Sequence, residues 1–387
     1  MMIGVVGAPN KGKSTLFSAL TANDVQMADY PFTTIDPNIG AAYVRVQCAH
    51  VALGLPKCDA RGGHCKNGVR EIPVQLLDVA GLVPGAHEGK GMGNQFLDDL
   101  RKADALIQVI DASGRTDLEG NPCERGDLLA EAKFLPEELK WWVFGIVKRN
   151  WDGIRNMGIE KVADALSGFG AGPDGIIACA KLENLALQKI MWADEEIMGF
   201  AGRVAALKPI VIAANKSDVA GAMENADALA MKLPGMKVVL CSAACERALR
   251  KASEAGAVKY SPGDVDFEII GEINEKRRLG LEGIRAFMKK NRGTGAQEAL
   301  HTAVFGALGM KVAYPVEDEH KASDHKGNVL PDALLLPGNA TAIDLAAKIH
   351  TDLAARFIGA VDVKTKRQVG KSHVLADGDI IKIVSGK

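Results

Sequence analysis

Apolar and polar positions change rhythm twice along this chain. "MIGVVG" (2–7), "LLDVAG" (76–81) and "ALIQVID" (105–111) are short apolar runs, and "PIVIAANK" (209–216) and "KVVLCSA" (237–243) repeat the pattern further on. Runs of that length bounded by turn residues predict buried strands. "TLFSAL" (15–20) follows the first of them and predicts a helix. Between 111 and 209 lies an insertion far longer than an ordinary connection, and its spacing is helical. "PEELKWWVFGIVKRNW" puts Pro136 at a first turn and Leu139, Trp142, Val143, Ile146 and Val147 on one face. "LENLALQKIMWADEEIMGF" (182–200) predicts a second helix. The tryptophans read as core anchors of a helical subdomain, with an aromatic partner-binding surface as the alternative. From about Lys311 the rhythm shortens: "KVAYPVED" and "DIIKIVS" predict strands around a helix, "NATAIDLAAKIH", capped by Thr341. "LADGDIIKI" predicts a tight turn into the last strand, and one helix among short strands fits a β-grasp fold.

Chemistry enters at the strand ends. The first strand runs into Gly7-x-x-x-x-Gly12-Lys13-Ser14 and then a helix, the context that makes this spacing a P-loop. Its glycines let backbone N–H groups close on phosphate oxygens, and the helix N-terminus adds its positive end. Gly7, Asn10, Lys11, Gly12, Lys13, Ser14 and Thr15 are the expected phosphate-side residues, with Lys13 on the β- and γ-phosphates and the Ser14 hydroxyl on Mg²⁺. A P-loop alone suits a kinase, an ATPase or a GTPase. "NKSD" decides between them, because a carboxylate at Asp218 can accept from guanine N1–H and N2–H₂ together and adenine offers no such pair. Asn215 is expected to tie this loop to the P-loop, the Lys216 stem to cover the base, and Ser242-Ala243 to offer a backbone contact to the guanine oxygen.

Two switch segments lie between these motifs. Asp78 ends a strand where it can hold Mg²⁺ through water, and Gly81 can offer its N–H to the γ-phosphate. Upstream, "ADYPFTTIDPNIG" supplies Thr33 and Thr34, with Thr34 the expected Mg²⁺ ligand. The residue after Gly81 is Leu82, which cannot orient a water molecule.

Composition narrows the picture only in places. The chain has 387 residues, 47% hydrophobic and 25% charged, with a formal net charge of −1, so a nucleic-acid contact would need local patches. One such patch is "VKTKRQVGKSH", with Lys364, Lys366, Arg367 and Lys371, although a charge run is usually a solvated face. No secretion signal opens the chain and no apolar run reaches membrane-spanning length, so a cytoplasmic location without a membrane partner is expected. Seven cysteines in such a chain suggest thiols or metal ligands. Cys48, His50, Cys58 and Cys65 can satisfy tetrahedral zinc, His64 competes as a ligand, and redox-sensitive thiols are the alternative.

"GAPNKGKST", "ADYPFTTIDPNIG", "DVAGLVPGAHEGKGMGNQFL" and "NKSD" together resemble the Obg-related GTPases, in the YchF-type branch that ends in a TGS domain, over nearly the whole chain. The resemblance implies an α/β P-loop GTPase domain (1–115 and 206–310), a helical insertion (116–205) and a small β-grasp TGS domain (311–387). It also accounts for Leu82, since that branch carries a hydrophobic residue where Ras-like proteins have glutamine. Many YchF-type proteins have glutamate at the last position of the base motif and lose their preference for GTP. Asp218 departs from them and keeps the guanine reader.

The water-orienting task must then lie elsewhere. Asn10 stands where several related GTPases use an asparagine on K⁺, or it only shapes the loop. His87, in a glycine-punctuated stretch, is the second candidate for catalysis beside Lys13, Thr34 and Gly81, or an idle surface histidine. The expected function is a GTP- and GDP-binding, slowly hydrolysing switch that meets the ribosome or RNA in translation or ribosome assembly. The alternative is a nucleotide-sensing interaction protein with dual GTP/ATP use and incidental hydrolysis.

Overall fold

The structure is a computed structural model, and it describes residues 1–21, 38–79, 99, 101–166, 169, 172–188 and 190–386. Thr33, Thr34, Gly81, Leu82 and His87 lie outside the described residues.

The apolar runs form the main sheet. Its strands are β1 (Met2–Val6), β2 (Ile39–Gln47), β3 (Cys65–Lys66), β4 (Val69–Asp78), β5 (Ala105–Asp111), β6 (Ile210–Asn215) and β7 (Lys237–Leu240). They lie in the order β2-β4-β1-β5-β6-β7, with β3 beside β4. The pairs β4–β1, β1–β5, β5–β6 and β6–β7 are parallel. Every residue of β5 is buried, as a parallel strand covered on both faces requires, which is why "ALIQVID" shows no alternation.

The insertion is helical, with starts that differ from those expected. Its first helix is Leu128–Arg149, and Pro136 sits inside it rather than at its first turn. The cause is Asp127, whose Oδ1 accepts from the N–H groups of Leu129 (3.0 Å) and Ala130 (3.0 Å) and so caps the helix eight residues earlier than Pro136 would, counting from Leu128. The apolar face is as read: Leu139, Trp142, Val143, Ile146 and Val147 are buried. The stretch 182–200 is not one helix. Pro173–Leu182 ends there, and Asp194–Ala205 begins with three acidic residues in its first turn. Trp142 and Trp192 are core anchors, whereas Trp141 is exposed. The insertion packs on the sheet in one continuous core that includes Val6, Leu77 and Leu106.

At the C-terminal end β10 (Lys311–Val316), β11 (Leu334–Leu336), β12 (Phe357–Asp362), β13 (Arg367–Val369) and β14 (Asp379–Ser385) form a sheet in the order β11-β10-β14-β12-β13; β8 (Val258–Lys259) and β9 (Glu268–Ile269) form a separate pair. The helix Ala342–Ile349 buries Ala342, Leu345 and Ala346 and is capped at Thr341, whose N–H and hydroxyl both reach Asp344 Oδ2 (2.8 and 2.7 Å). Gly378 turns into β14 with φ +76°, a conformation that favours glycine. This is the β-grasp arrangement.

The chain divides into two compact units, Met1–Ala22, Pro37–Gly40 and Gln75–Ala303 in one, and Asn23–Asp36, Ala41–Val74 and Val304–Lys387 in the other. The division differs from the expected one by placing 41–74 with the C-terminal residues.

Candidate functional site

The P-loop leaves β1 and closes through two constrained glycines. A Cβ on Gly7 would meet the Val109 carbonyl oxygen at 2.7 Å, and Gly12 has φ +90° with no room beside the Asn215 side chain. Asn10 also adopts a positive φ, +60°, which asparagine tolerates better than most residues. The helix Lys13–Leu20 starts immediately after Gly12, so its free N–H groups face the loop.

Asn215 ends β6 and joins three segments. Its Nδ2 donates to the Lys11 carbonyl (2.9 Å), and its Oδ1 accepts from the Ala243 N–H (3.0 Å). The side chain is buried, so both bonds are made away from water. Lys216 follows in the left-handed region with φ +62°, and its ammonium is held by Asp111 Oδ2 at 2.8 Å. Asp218 presents its carboxylate at the surface. Ser242 is fully buried; its N–H goes to the Thr294 carbonyl (2.8 Å) and its Oγ accepts from Cys245 N–H (3.2 Å). Both N–H groups of Ser242-Ala243 are therefore engaged within the protein.

On the phosphate side, the Lys13 ammonium contacts the Asp78 carboxylate at the end of β4, while Ser14 is exposed. Asn10 donates from Nδ2 to the Gly120 carbonyl at 3.0 Å, which ties the P-loop to the segment after β5. Gly120 is close enough that a Cβ there would strike the Pro9 carbonyl oxygen at 2.2 Å.

The Lys11 side chain turns away from this face. It is fully buried, with Nζ on Glu131 Oε2 (2.8 Å) and Thr116 Oγ1 (2.9 Å). Burial raises the Glu131 pKa above its ordinary value even with Lys11 pulling it down. Asp111 stands next in the same network. Burial pushes its carboxyl up, but bonds from Lys216, Ser113 and Thr116 outweigh that and hold it below the usual range. Sequence reading missed Asp111, Thr116 and Glu131. The available signal was a lone carboxylate closing the apolar strand "ALIQVID".

The cysteine segment lies in the other unit. The side-chain donor atoms of Cys48, His50, Cys58 and Cys65 all lie within 4.8 Å of one another. His64 is not among them; its ring lies against Tyr43, with centroids 6.2 Å apart. Burial pushes the thiols of Cys58 and Cys65 above the ordinary cysteine value. Among the described residues no helix is long and apolar enough to cross a membrane.

Similarity to known proteins runs along the same lines. The family model described as "50S ribosome-binding GTPase" matches residues 2–133. Those described as "Obg-like GTPase YGR210-like, G4 motif-containing domain" and "TGS domain" match 213–318 and 326–385. A GTP-binding protein of Methanocaldococcus jannaschii is 46% identical over 99% of both chains. Another from Schizosaccharomyces pombe is 35% identical over 98% of this chain and 96% of its own. The ribosome-binding ATPase YchF of Mycoplasma pneumoniae is 43% identical, but over only 28% of this chain and 27% of its own. Among solved structures, a GTP-binding protein from Pyrococcus horikoshii superposes with a TM-score of 0.81 at 34% identity, covering 100% of each chain. The Schizosaccharomyces pombe YchF GTPase does so at 0.58 with 19% identity, over 99% of this chain and 97% of its own, a likeness of fold.

Proposed function

Because the chain belongs to the Obg-related P-loop GTPases, in the YchF-type branch with a C-terminal TGS domain, we propose that it is a guanine-selective, slowly hydrolysing switch acting at the ribosome or on RNA. The observation that carries this reading is Asn215, whose one side chain holds both the phosphate loop and the Ser242-Ala243 loop, three residues before Asp218. Joining those loops supports a base reader at Asp218 working together with the phosphate loop. Since the N–H groups of Ser242 and Ala243 are engaged, a backbone contact to the guanine oxygen falls to Ala244, in the first turn of the helix Ala243–Glu254.

On the phosphate side the donors suit Mg²⁺, a hard cation that takes oxygen ligands: the Ser14 hydroxyl beside the loop and the Asp78 carboxylate beside Lys13. When bound, the ion would neutralise charge developing on the β- and γ-oxygens. Lys13 shares that work, and its contact with the Asp78 carboxylate at the end of β4 supports that role. Lys13→Ala should therefore reduce GTP turnover to background and weaken nucleotide affinity, measured by titration with a fluorescent GTP analogue. Turnover at the wild-type rate would place the active site elsewhere.

Leu82 leaves hydrolysis to another source of positive charge. The Asn10 Nδ2 is committed to Gly120, which leaves Oδ1 as the atom to bind K⁺. Single-turnover cleavage of GTP and ATP, each in K⁺ and Na⁺ at matched ionic strength, tests both halves of the proposal. The expected result is cleavage of GTP over ATP, faster in K⁺. Cleavage of ATP over GTP would overturn the reading of Asp218 and favour dual nucleotide use, as the word ATPase in the bacterial relatives' name suggests for those proteins. Ribosome association is supported by that relative's name and by the TGS domain, and it would place the protein in the cytoplasm. It should appear as nucleotide-dependent co-sedimentation with ribosomal subunits.

A further inference from the structure

The segment between β2 and β4 has no task in nucleotide binding, yet its geometry is closely specified. β2 ends at Gln47, and Cys48 follows, its N–H bonded to the Gly68 carbonyl at 2.8 Å. Cys65 opens β3, which pairs antiparallel with β4 through a two-residue turn, Asn67-Gly68, at φ +50° and +80°. Two successive positive φ values are the hairpin turn that asparagine–glycine forms most readily. That turn sets the register Cys65↔Arg70, and the Cys48–Gly68 bond brings the two ends of the segment together. His50 comes from the single turn Ala49–Ala52, and Cys58 from the loop beyond it.

We propose that Cys48 Sγ, His50 Nδ1, Cys58 Sγ and Cys65 Sγ form a closed structural zinc site. The distances fit that ion. Zn–S bonds of about 2.3 Å at a tetrahedral angle put two sulfurs about 3.8 Å apart, and a sulfur and a nitrogen slightly closer. The structure has Cys48 Sγ and Cys58 Sγ at 3.6 Å and Cys65 Sγ and His50 Nδ1 at 3.7 Å. A disulfide would need about 2.05 Å. Three thiolates and an imidazole fill all four positions, so the site is structural rather than catalytic. Cys48 and His50 are buried, and Cys58 and Cys65 are half-buried.

Arg70 is the independent observation. It is 1% exposed, and among the described residues no carboxylate pairs with it. Its Nη1 donates to Cys58 Sγ (3.5 Å) and the Leu330 carbonyl (3.0 Å), and its Nη2 to the Pro331 carbonyl (2.5 Å). A buried guanidinium is stabilised by negative charge beside it. Zn²⁺ with three thiolates and a neutral imidazole carries a charge of about −1, which would put negative charge at the sulfur that Arg70 touches. The ligand loop is then stitched to the C-terminal residues: Asp59 N–H to the Val329 carbonyl (2.8 Å), Val329 N–H to Asp59 Oδ2 (2.9 Å) and Arg61 N–H to the Pro331 carbonyl (2.8 Å). The zinc holds 48–65 as part of the unit that carries the TGS fold.

Metal content of the full chain, purified without chelator, tests this directly. Elemental analysis should find near-stoichiometric zinc in the wild type and in Cys123→Ser, whose cysteine lies in the other unit, and only background in Cys58→Ser/Cys65→Ser. Should that double variant fail to fold, Co²⁺ exchange into the wild type decides instead. Tetrahedral thiolate ligation gives intense visible and near-ultraviolet cobalt bands that excess Zn²⁺ abolishes. Folded wild type that carries no zinc and takes up no Co²⁺ with those bands would overturn the proposal. So would full zinc in the double variant.

Discussion

Replacing Asp218 by Asn should collapse the preference for GTP over ATP, cutting the ratio of kcat/KM values by roughly 10²-fold, the weight of one bidentate base contact. The carboxylate accepts from two guanine donors at once. An asparagine keeps one acceptor and turns an amide donor toward the second guanine donor, so the variant loses a bond and gains a clash of like dipoles. The change lies on an exposed side chain three residues beyond β6, clear of the buried Asn215, so the loop that carries it should stand. A rescue separates lost recognition from lost structure. Xanthine carries a carbonyl where guanine carries the amino group, and the amide of the variant can donate to it. Xanthosine triphosphate should therefore become a substrate of Asp218→Asn, and not of the wild type. An unchanged GTP-to-ATP ratio in the variant would refute the role of Asp218.

A second large effect should come from the ion pair behind the P-loop. Lys11→Met removes the only lysine on Glu131 among the described residues and should cost about 3–5 kcal/mol of stability, the usual penalty for stranding one member of a buried pair. Denaturant unfolding at constant pH measures it. The double variant Lys11→Met/Glu131→Leu should recover most of the loss, because an apolar pair of similar volume needs no counter-charge. The pH dependence has a definite sign. Burial raises the Glu131 pKa in the folded protein above its unfolded value, so folding takes up a proton there. Stability from that protonated carboxyl is present in full below the unfolded pKa and is lost as pH rises through the folded one. The deficit of Lys11→Met should therefore be smaller near pH 5 than near pH 8. A deficit that does not change between those values would mean that Glu131 stays ionised without its lysine.

The pair also matters for nucleotide binding. It anchors the backbone of Lys11, whose carbonyl receives Asn215, to the first helix of the insertion. Lys11→Met should thus loosen the P-loop as well as destabilise the fold. The double variant restores packing and would reveal any affinity that the ion pair itself supplies.

What the sequence determined by itself is what short stretches of backbone decide. Gly12 before Lys13 permits a conformation that other residues resist, and a strand on one side with a helix on the other leaves a phosphate cradle as the product. "ALIQVID" had to be buried because its apolar side chains fall on both faces, and "NATAIDLAAKIH" carried its own cap in Thr341 and Asp344. These signals act within a few residues, so they survive in a one-dimensional reading. The start of the first insertion helix differs from the sequence expectation for the same local reason: Pro136 is a good first-turn residue, but Asp127 caps a helix whose buried face begins earlier. Tertiary structure alone decided where long side chains end. Lys11 and Lys13 stand two residues apart, yet one ammonium is buried on Glu131, 120 positions away, while the other faces Asp78. Only the folded chain chooses His50 over His64 beside the cysteines, and only it places residues 41–74 with the C-terminal unit. Charge pairing and metal-type clusters depend on distances between segments remote in sequence. The chain closes those distances by burying apolar surface on residues that themselves take no part in the chemistry.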